Sequence, residues 1–270
     1  MLRSNVSALS TRSSETYWNK VAETYDQVFP HTLVGRAQRD IVWHELDRVF
    51  QPGRRVLELN CGTGIDAVHL AESGVTVLAC DISPRMVEIA WQRLRSNGLE
   101  GLVEFRALPT EDIAVLEGKG CFDGAFSNFS GLNHVRDLSA VARNLARLLK
   151  PGARAVLCMA ARFVPSEMAW YLAQGNLRKA MRRLTKLSDD DRLKVHYPSV
   201  GAMARIFAPE FRLREWKGIG VILPSCIEHV VRRHPLILNG LARADRWLSC
   251  VPGLRGMADC VLLQFERIDR

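Results

Sequence analysis

The chain has 270 residues, of which 47% are hydrophobic and 24% charged. That balance excludes a disordered chain, and the longest apolar runs, such as 155–161, fall well short of the roughly 20 residues that a membrane-spanning helix needs. The net charge of +8 is local: residues 1–161 hold 18 Lys+Arg against 18 Asp+Glu, residues 162–194 hold 8 against 4, and residues 205–257 hold 9 against 4. A neutral first half with two basic C-terminal stretches argues against a chain-wide nucleic-acid footprint.

The elements follow in chain order. The first 14 residues carry Arg3, Arg12, several serines and no acid, which reads as a frayed polar terminus, with a transit peptide as the alternative. Trp18, Val21, Ala22 and Tyr25 then recur at helical spacing, and a second amphipathic helix covers Leu33 to Val49. Pro52-Gly53 breaks the chain before a short apolar strand, Arg55–Leu59, and the turn Asn60-Cys61-Gly62-Thr63-Gly64. A helix over Ile65–Ser73, a strand over Val75–Cys80 closed by Asp81, and a helix over Pro84–Asn97 come next, the last capped by Ser83 and ended by Gly98. Strands over 103–108, 122–129 and 153–161 flank a helix over 137–149. This alternation, with continuous apolar strands, predicts an α/β fold with a parallel sheet covered on both faces. Beyond residue 161 the rhythm breaks, with a basic helix around 176–187, a helix over 198–207, and strands over 211–216 and 258–267. About forty residues separate those strands, far more than a hairpin needs, so helices are expected around 226–233 and 236–248.

The seven cysteines form no CxxC pair, and Cys80, Cys158 and Cys260 fall in apolar strands. Reduced, buried thiols in a cytoplasmic protein fit this pattern, and a disulfide framework or zinc site does not. His229 and His234 are five residues apart, share no helix face and suggest no metal.

The chemistry sits in 56–64 and at Asp81. A Gly-rich turn between strand and helix lets a ligand approach the backbone, and an acid ending the next strand can accept both hydroxyls of a ribose. Gly62-x-Gly64-x-x-Ala67 formally fits a dinucleotide site, where pyrophosphate sits on the helix N-terminus. Glu58 opposes that reading, because a carboxylate beside the turn repels pyrophosphate and attracts an ammonium group. S-adenosylmethionine has an ammonium, a carboxylate and a ribose but no phosphate. Glu58, the N–H groups of the turn and Asp81 answer these in order.

At these residues the sequence resembles the class I S-adenosylmethionine-dependent methyltransferases, within the UbiE-like small-molecule group. Ala22-x-x-Tyr25-Asp26, the segment 127–133 and Leu149-Lys-Pro-Gly152 add to the likeness, which covers 15–161 well and 198–270 in outline. The resemblance implies a Rossmann-like seven-stranded sheet, order 3-2-1-4-5-7-6 with the last strand antiparallel. It also implies one methyltransferase domain over 1–270, with a helical cap at 15–50 and lid insertions at 162–197 and 221–257. It implies that Glu58 and Asn60, Cys61, Gly62, Thr63 and Gly64 hold the methionine moiety and Asp81 the ribose. Ile82 and Met86 would flank the adenine, Thr110, Glu111 and Asp112 would lie at its edge, and Asn128 and Phe129 would lie under the methyl. Tyr25 either closes over the cofactor or packs its helix, and Met86 is equally a helix core residue. Two departures stand out: the family usually has Gly at Asn60 and an acid at Pro109.

Methyl transfer needs alignment and exclusion of water, and a general base only for a protonated acceptor. His134, after strand four, is the candidate base, with a capping or surface histidine as the plain alternative, and His196 with Tyr197 comes second. Asn133, Trp170, His196 and Tyr197 are the candidate acceptor contacts, in a pocket expected to be apolar. The acceptor is expected to be a small hydrophobic metabolite. The alternative is a lipid-like acceptor at an anionic membrane surface, with Arg178, Lys179, Arg182, Arg183 and Lys186 forming a basic helix face opposite Leu177, Ala180, Met181, Leu184 and Leu187. An RNA methyltransferase ranks last, because Ser127-Asn-Phe-Ser130 lacks the Asn-Pro-Pro-Tyr-like motif of base N-methyltransferases.

Overall fold

The computed structural model describes residues 2–116, 118–185 and 195–269. Seven strands, β1 (Arg55–Leu59), β2 (Thr76–Asp81), β3 (Val103–Ala107), β4 (Phe122–Ser127), β5 (Leu149–Ala160), β6 (Phe211–Ile219) and β7 (Cys260–Arg267), form one sheet in the order β3-β2-β1-β4-β5-β7-β6. The first five are parallel, and β7 runs antiparallel to both β5 and β6. Order and direction are those expected for the class I methyltransferase fold. The chain winds outward from β1 to β3, then crosses back to β4 on the other side of β1. The carboxyl ends of β1 and β4 therefore flank the crevice where open α/β sheets bind ligands.

The continuous apolar strands are explained by burial on both faces. α2 (Leu33–Val49), α3 (Ile65–Glu72) and α4 (Pro84–Asn97) cover one face, with Leu46, Val56, Leu70, Val77, Leu94 and Phe126 in its core. α5 (Leu138–Leu148) and α8 (Val200–Phe207) cover the other, around Leu57, Leu59, Leu145, Phe207 and Phe265. The α4 caps are as expected: Ser83 Oγ accepts from Met86 N at 3.1 Å, Pro84 opens the helix, and Gly98 ends it with φ 66°.

Three expectations change. The first helix, α1, runs Leu2–Val28, so the polar N-terminus is helical backbone and not a frayed tail. β5 begins at Leu149, whose pairing with Phe122 carries Lys150-Pro151-Gly152 into the strand through an irregular register. A helix the sequence pattern did not single out, α6 (Pro165–Ala173), precedes α7 (Leu177–Thr185). The long β6–β7 connection does hold helices, α9 (Glu228–Arg233) and α10 (Leu238–Leu248). Among the described residues, no helix is long and apolar enough to cross a membrane.

Candidate active site

The turn after β1 brings backbone, not side chains, to the crevice. Asn60, Gly62 and Gly64 all have positive φ, at 56°, 54° and 75°. At Gly64 a Cβ would lie 2.7 Å from Ala90 Cβ and from Phe105 Cζ, so close packing of α3 on the sheet and α4 demands glycine there. Asn60 takes the left-handed conformation that Asn tolerates best among non-glycine residues, and its Oδ1 accepts from Ser127 Oγ at 3.2 Å. The end of β4 is also unusual, with Phe129 at φ 47° and Ser130 at φ 73°. Two consecutive non-glycine residues in this region store strain at the crevice.

A cavity of about 480 Å³ opens above these strand ends. Its inner half is lined by Tyr25, Asn60, Gly62, Asp81, Ile82, Met86, Thr110, Glu111, Asn128 and Phe129. Asp81 is buried, and its two oxygens accept the N–H groups of Gly62 and Ser83, each at 2.9 Å. A carboxylate oxygen has two lone-pair sites, so each keeps one for a ligand hydroxyl. Burial raises the Asp81 carboxyl above its ordinary value, while those two N–H groups pull it back.

Five residues expected at the cofactor do not line the cavity. Glu58 and Cys61 are buried behind it, Gly64 is at the α3 N-cap, and Asp112 is exposed. Thr63 instead holds α1, its Oγ1 donating to Asp26 at 2.6 Å. Glu58 is 1% exposed, and its Oε2 has no hydrogen-bond partner among the described residues. Burial, with the nearby Asp66 and Asp81, pushes its carboxyl well above the usual range, and Arg39 offsets this only in part.

Sequence reasoning missed the group beside Glu58. Arg39 from α2 and Asp66 from α3 form a buried ion pair; Asp66 also accepts from Trp43 Nε1 at 2.7 Å and from Asn128 Nδ2 at 2.9 Å. Burial alone would raise the Asp66 carboxyl, but Arg39 and these donors hold it below its ordinary value. Because Asp66 fixes the amide nitrogen of Asn128, the amide oxygen Oδ1 is presented as an acceptor, buried and unpartnered among the described residues. Arg39 also lies 4.6 Å from the Phe129 ring centroid. No local motif marks this group, since its members are far apart in sequence.

α1 roofs the inner half. The spacing 18, 22, 25 puts Trp18, Ala22 and Tyr25 on one helix face. Asn19 Oδ1 accepts from Ser83 Oγ at 2.6 Å, and Asp26 pairs with Arg93 as well as Thr63. Burial drives the Tyr25 hydroxyl up to about 12, so it stays protonated. Trp18 meets His134 edge-to-face at 5.5 Å, and Phe29 meets Phe129 at 5.0 Å.

The outer half is lined by His134, Arg136, Tyr171, Ser225, Cys226 and Cys260, and also by Glu167, Arg182, Arg183 and Asp259. This half is therefore more polar than the sequence suggested, because lid arginines and acids join its wall. Arg183 Nη2 contacts Glu167 Oε2 and Asp259 Oδ1, each at 2.5 Å, and its Nη1 donates to the carbonyls of Ala161 and Asp259. Arg182 Nε donates to Glu167 Oε1 at 3.0 Å. Two of the basic side chains assigned to an outward face of α7 thus turn inward, whereas Arg178 and Lys179 are exposed and Lys186 and Leu187 lie outside the described residues.

Burial, with a smaller effect of His196, lowers His134 to about 4, and its Nδ1 has no hydrogen-bond partner among the described residues. Asn133 is wholly buried and splints the backbone: Nδ2 donates to His196 O at 2.6 Å, and Oδ1 accepts from Ala160 N at 2.9 Å. His196 and Tyr197 stay outside the cavity wall, Tyr197 lying 5.9 Å from Arg183. Trp170 is also outside it, against His229 at 4.7 Å.

Comparison with known proteins gives a consistent picture. A family model described as a methyltransferase domain matches residues 56–152. A ubiquinone biosynthesis O-methyltransferase of Xanthomonas oryzae pv. oryzae is 40% identical over 112 residues, 41% of this chain and 44% of that protein. The chain thus aligns with under half the length of such curated relatives. Among solved structures, magnesium protoporphyrin IX methyltransferase from Synechocystis PCC 6803, with bound S-adenosylhomocysteine, superposes with a TM-score of 0.59 at 16% identity, over 96% of this chain and 99% of that one. Geranyl diphosphate C-methyltransferase from Streptomyces coelicolor A3(2) gives 0.57 at 16% identity, over 85% and 79%. At such identity these two establish the shared fold.

Proposed function

We propose that this chain is a class I, S-adenosylmethionine-dependent methyltransferase that transfers the methyl group of that cofactor to a hydroxyl of a small-molecule acceptor; the methyltransferase-domain match over 56–152 and the sheet order support this reading. The carrying observation is one cavity that joins the β1, β2 and β4 strand ends to His134. The inner wall fits the cofactor by its own chemistry: Asp81 keeps acceptor capacity for ribose hydroxyls, and Asn128 Oδ1 is a buried acceptor suited to an ammonium group, with Glu58 Oε2, unpartnered among the described residues, behind the wall rather than on it. Ile82, Met86, Thr110 and Glu111 would enclose the adenine, and Gly62 would leave room at the methionine end. When bound, S-adenosylmethionine supplies a methyl group activated by a sulfonium.

The protein's share of the work is alignment and exclusion of water. Trp18, Tyr25 and Phe29 close the inner half, and the Glu167–Arg183–Asp259 group closes the outer half. Burial keeps His134 neutral above about pH 4, which leaves its imidazole a hydrogen-bond acceptor for the acceptor's hydroxyl but weakens it as a base, so its part is orientation first and proton acceptance second. The relatives' name, ubiquinone biosynthesis O-methyltransferase, supports oxygen as the methylated atom. The test is transfer of labelled methyl from S-adenosylmethionine to a panel of phenols and catechols. Label in an organic-extractable small molecule is expected; label in RNA or protein instead would overturn the reading.

A second reading, a lipid-like acceptor met at an anionic membrane, is supported by the exposed apolar and basic side chains of the β6–β7 connection.

A further inference from the structure

We propose that the α9–α10 segment is a docking surface for an anionic bilayer, which gives the second reading above a defined location. α10 turns one side inward: Leu238, Leu241 and Ala242 pack with Val34, Ala37 and Val231. Asp245, fully buried on that side, accepts the N–H groups of Gly220 and Ile222, each at 2.9 Å. The helical period continues through the tight turn Pro235–Ile237 and puts Leu236, Gly240, Arg243 and Trp247 on the opposite stripe. Exposure agrees with this geometry. Leu236 is 95% exposed and Trp247 71%, and a Cβ on Gly240 would meet nothing within 4 Å. Ile237, at 43%, widens the patch at its tip.

The charge around the patch identifies its partner. Residues 229–258 hold Arg232, Arg233, Arg243, Arg246 and Arg255, and their only acid is the buried Asp245. Arg232 pairs with Glu228, while Arg233, Arg243 and Arg246 make no ion pair among the described residues. Apolar side chains at a turn tip, a Trp one helix stripe away, and arginines with no exposed acid suit an interface of acyl chains and anionic headgroups. A second copy of the chain fits less well, because a two-fold contact through this patch would bring like-charged arginines together. The surface is continuous with the acceptor half of the cavity. Ser225 and Cys226 line that cavity immediately before α9, and Trp170 joins α6 to His229 of α9.

The experiment is co-sedimentation of the full chain with vesicles of phosphatidylcholine, alone or with about one-third phosphatidylglycerol, at low and high salt. Each arginine near an anionic surface strengthens binding roughly fivefold, and salt screens the effect. Binding to the anionic vesicles alone, lost at high salt, is expected. Arg233→Glu/Arg243→Glu/Arg246→Glu should weaken it by more than about a hundredfold. Leu236→Ser/Trp247→Ser should weaken it at unchanged charge, and the vesicle-induced blue shift of tryptophan emission should shrink in Trp247→Phe. Absence of binding to anionic vesicles, or equal binding by the variants, would overturn the proposal. So would a dimer seen by sedimentation velocity and dissolved by Leu236→Ser/Trp247→Ser. S-adenosylhomocysteine affinity, measured on every protein, separates failure of docking from failure of the methyltransferase reading.

Discussion

The side chain of Asn60 fills the space that a Cβ on residue 131 would need: a Cβ built there falls 2.6 Å from Asn60 Cγ. The unusual Asn in the β1 turn and the glycine after β4 therefore form one packing unit across the strand ends. The expected consequence is coupling. Gly131→Ala should destabilise the protein by about 1–3 kcal/mol through overpacking. Adding Asn60→Gly, which keeps the left-handed turn, should restore most of that loss. A denaturant double-mutant cycle measures it, and simple additivity of the two changes would contradict the relationship.

His134 sets a stability profile. Its pKa falls from an ordinary 6.5 to about 4 on folding, so the unfolded state takes up the proton first as pH drops. The stability tied to a neutral His134 is fully present above about pH 6.5 and is lost progressively toward pH 4. The shift corresponds to about 3 kcal/mol at full extent. Wild-type protein should therefore lose more stability than His134→Gln between pH 7 and pH 4.5. Identical slopes in urea titrations would show that the histidine is not held neutral. If His134 is also the base, His134→Ala should lower kcat by roughly 10²–10⁴ at unchanged cofactor affinity.

Glu58 should report cofactor binding through protons. Its carboxyl is raised by burial and by Asp66 and Asp81, and an ammonium group nearby would lower it again. Binding of S-adenosylhomocysteine should then release protons, seen as a dependence of the calorimetric enthalpy on buffer ionisation across a pH series. Glu58→Gln should abolish that dependence. A buffer-independent enthalpy in wild type would remove Glu58 from the ammonium site.

Arg183 holds the outer wall together. Arg183→Met leaves Glu167 and Asp259 buried without their shared cation, a loss of about 3–5 kcal/mol. Arg183→Met/Glu167→Gln should recover only part of it, by removing one of the two uncompensated charges while Asp259 keeps its Ser225 and Gln38 donors. A single-variant cost below about 1 kcal/mol in urea unfolding would show that the group is not structural.

Where signals were local, the sequence was a faithful guide. β1 and α4 begin and end where Pro52-Gly53, Ser83-Pro84 and Gly98 place them, because caps and breakers act within a few residues. The sheet order followed from the resemblance, and the turn glycines with Asp81 marked the inner half of the cavity. The long-range pieces were not legible. Nothing near Asp66 announces Arg39, Trp43 or Asn128 as partners, 27, 23 and 62 residues away. On α7 the helical period shows that faces differ, but not which face turns inward. The buried Glu167 and Asp259 decide that, and they lie on other elements. The α1 start was hidden because its serines and arginines lack an apolar period, while Asn19, Glu23 and Asp26 anchor the helix farther along.

The most direct measurement is calorimetric titration of the chain with S-adenosylhomocysteine, beside NAD, for wild type and Asp81→Asn. One S-adenosylhomocysteine per chain and no binding of NAD are expected. The site in the variant should be at least tenfold weaker, because hydrogen bonds to a charged acceptor contribute about 1.5–3 kcal/mol each. Unchanged affinity in Asp81→Asn would contradict the assignment of the site, and binding of NAD in place of S-adenosylhomocysteine would contradict the cofactor itself.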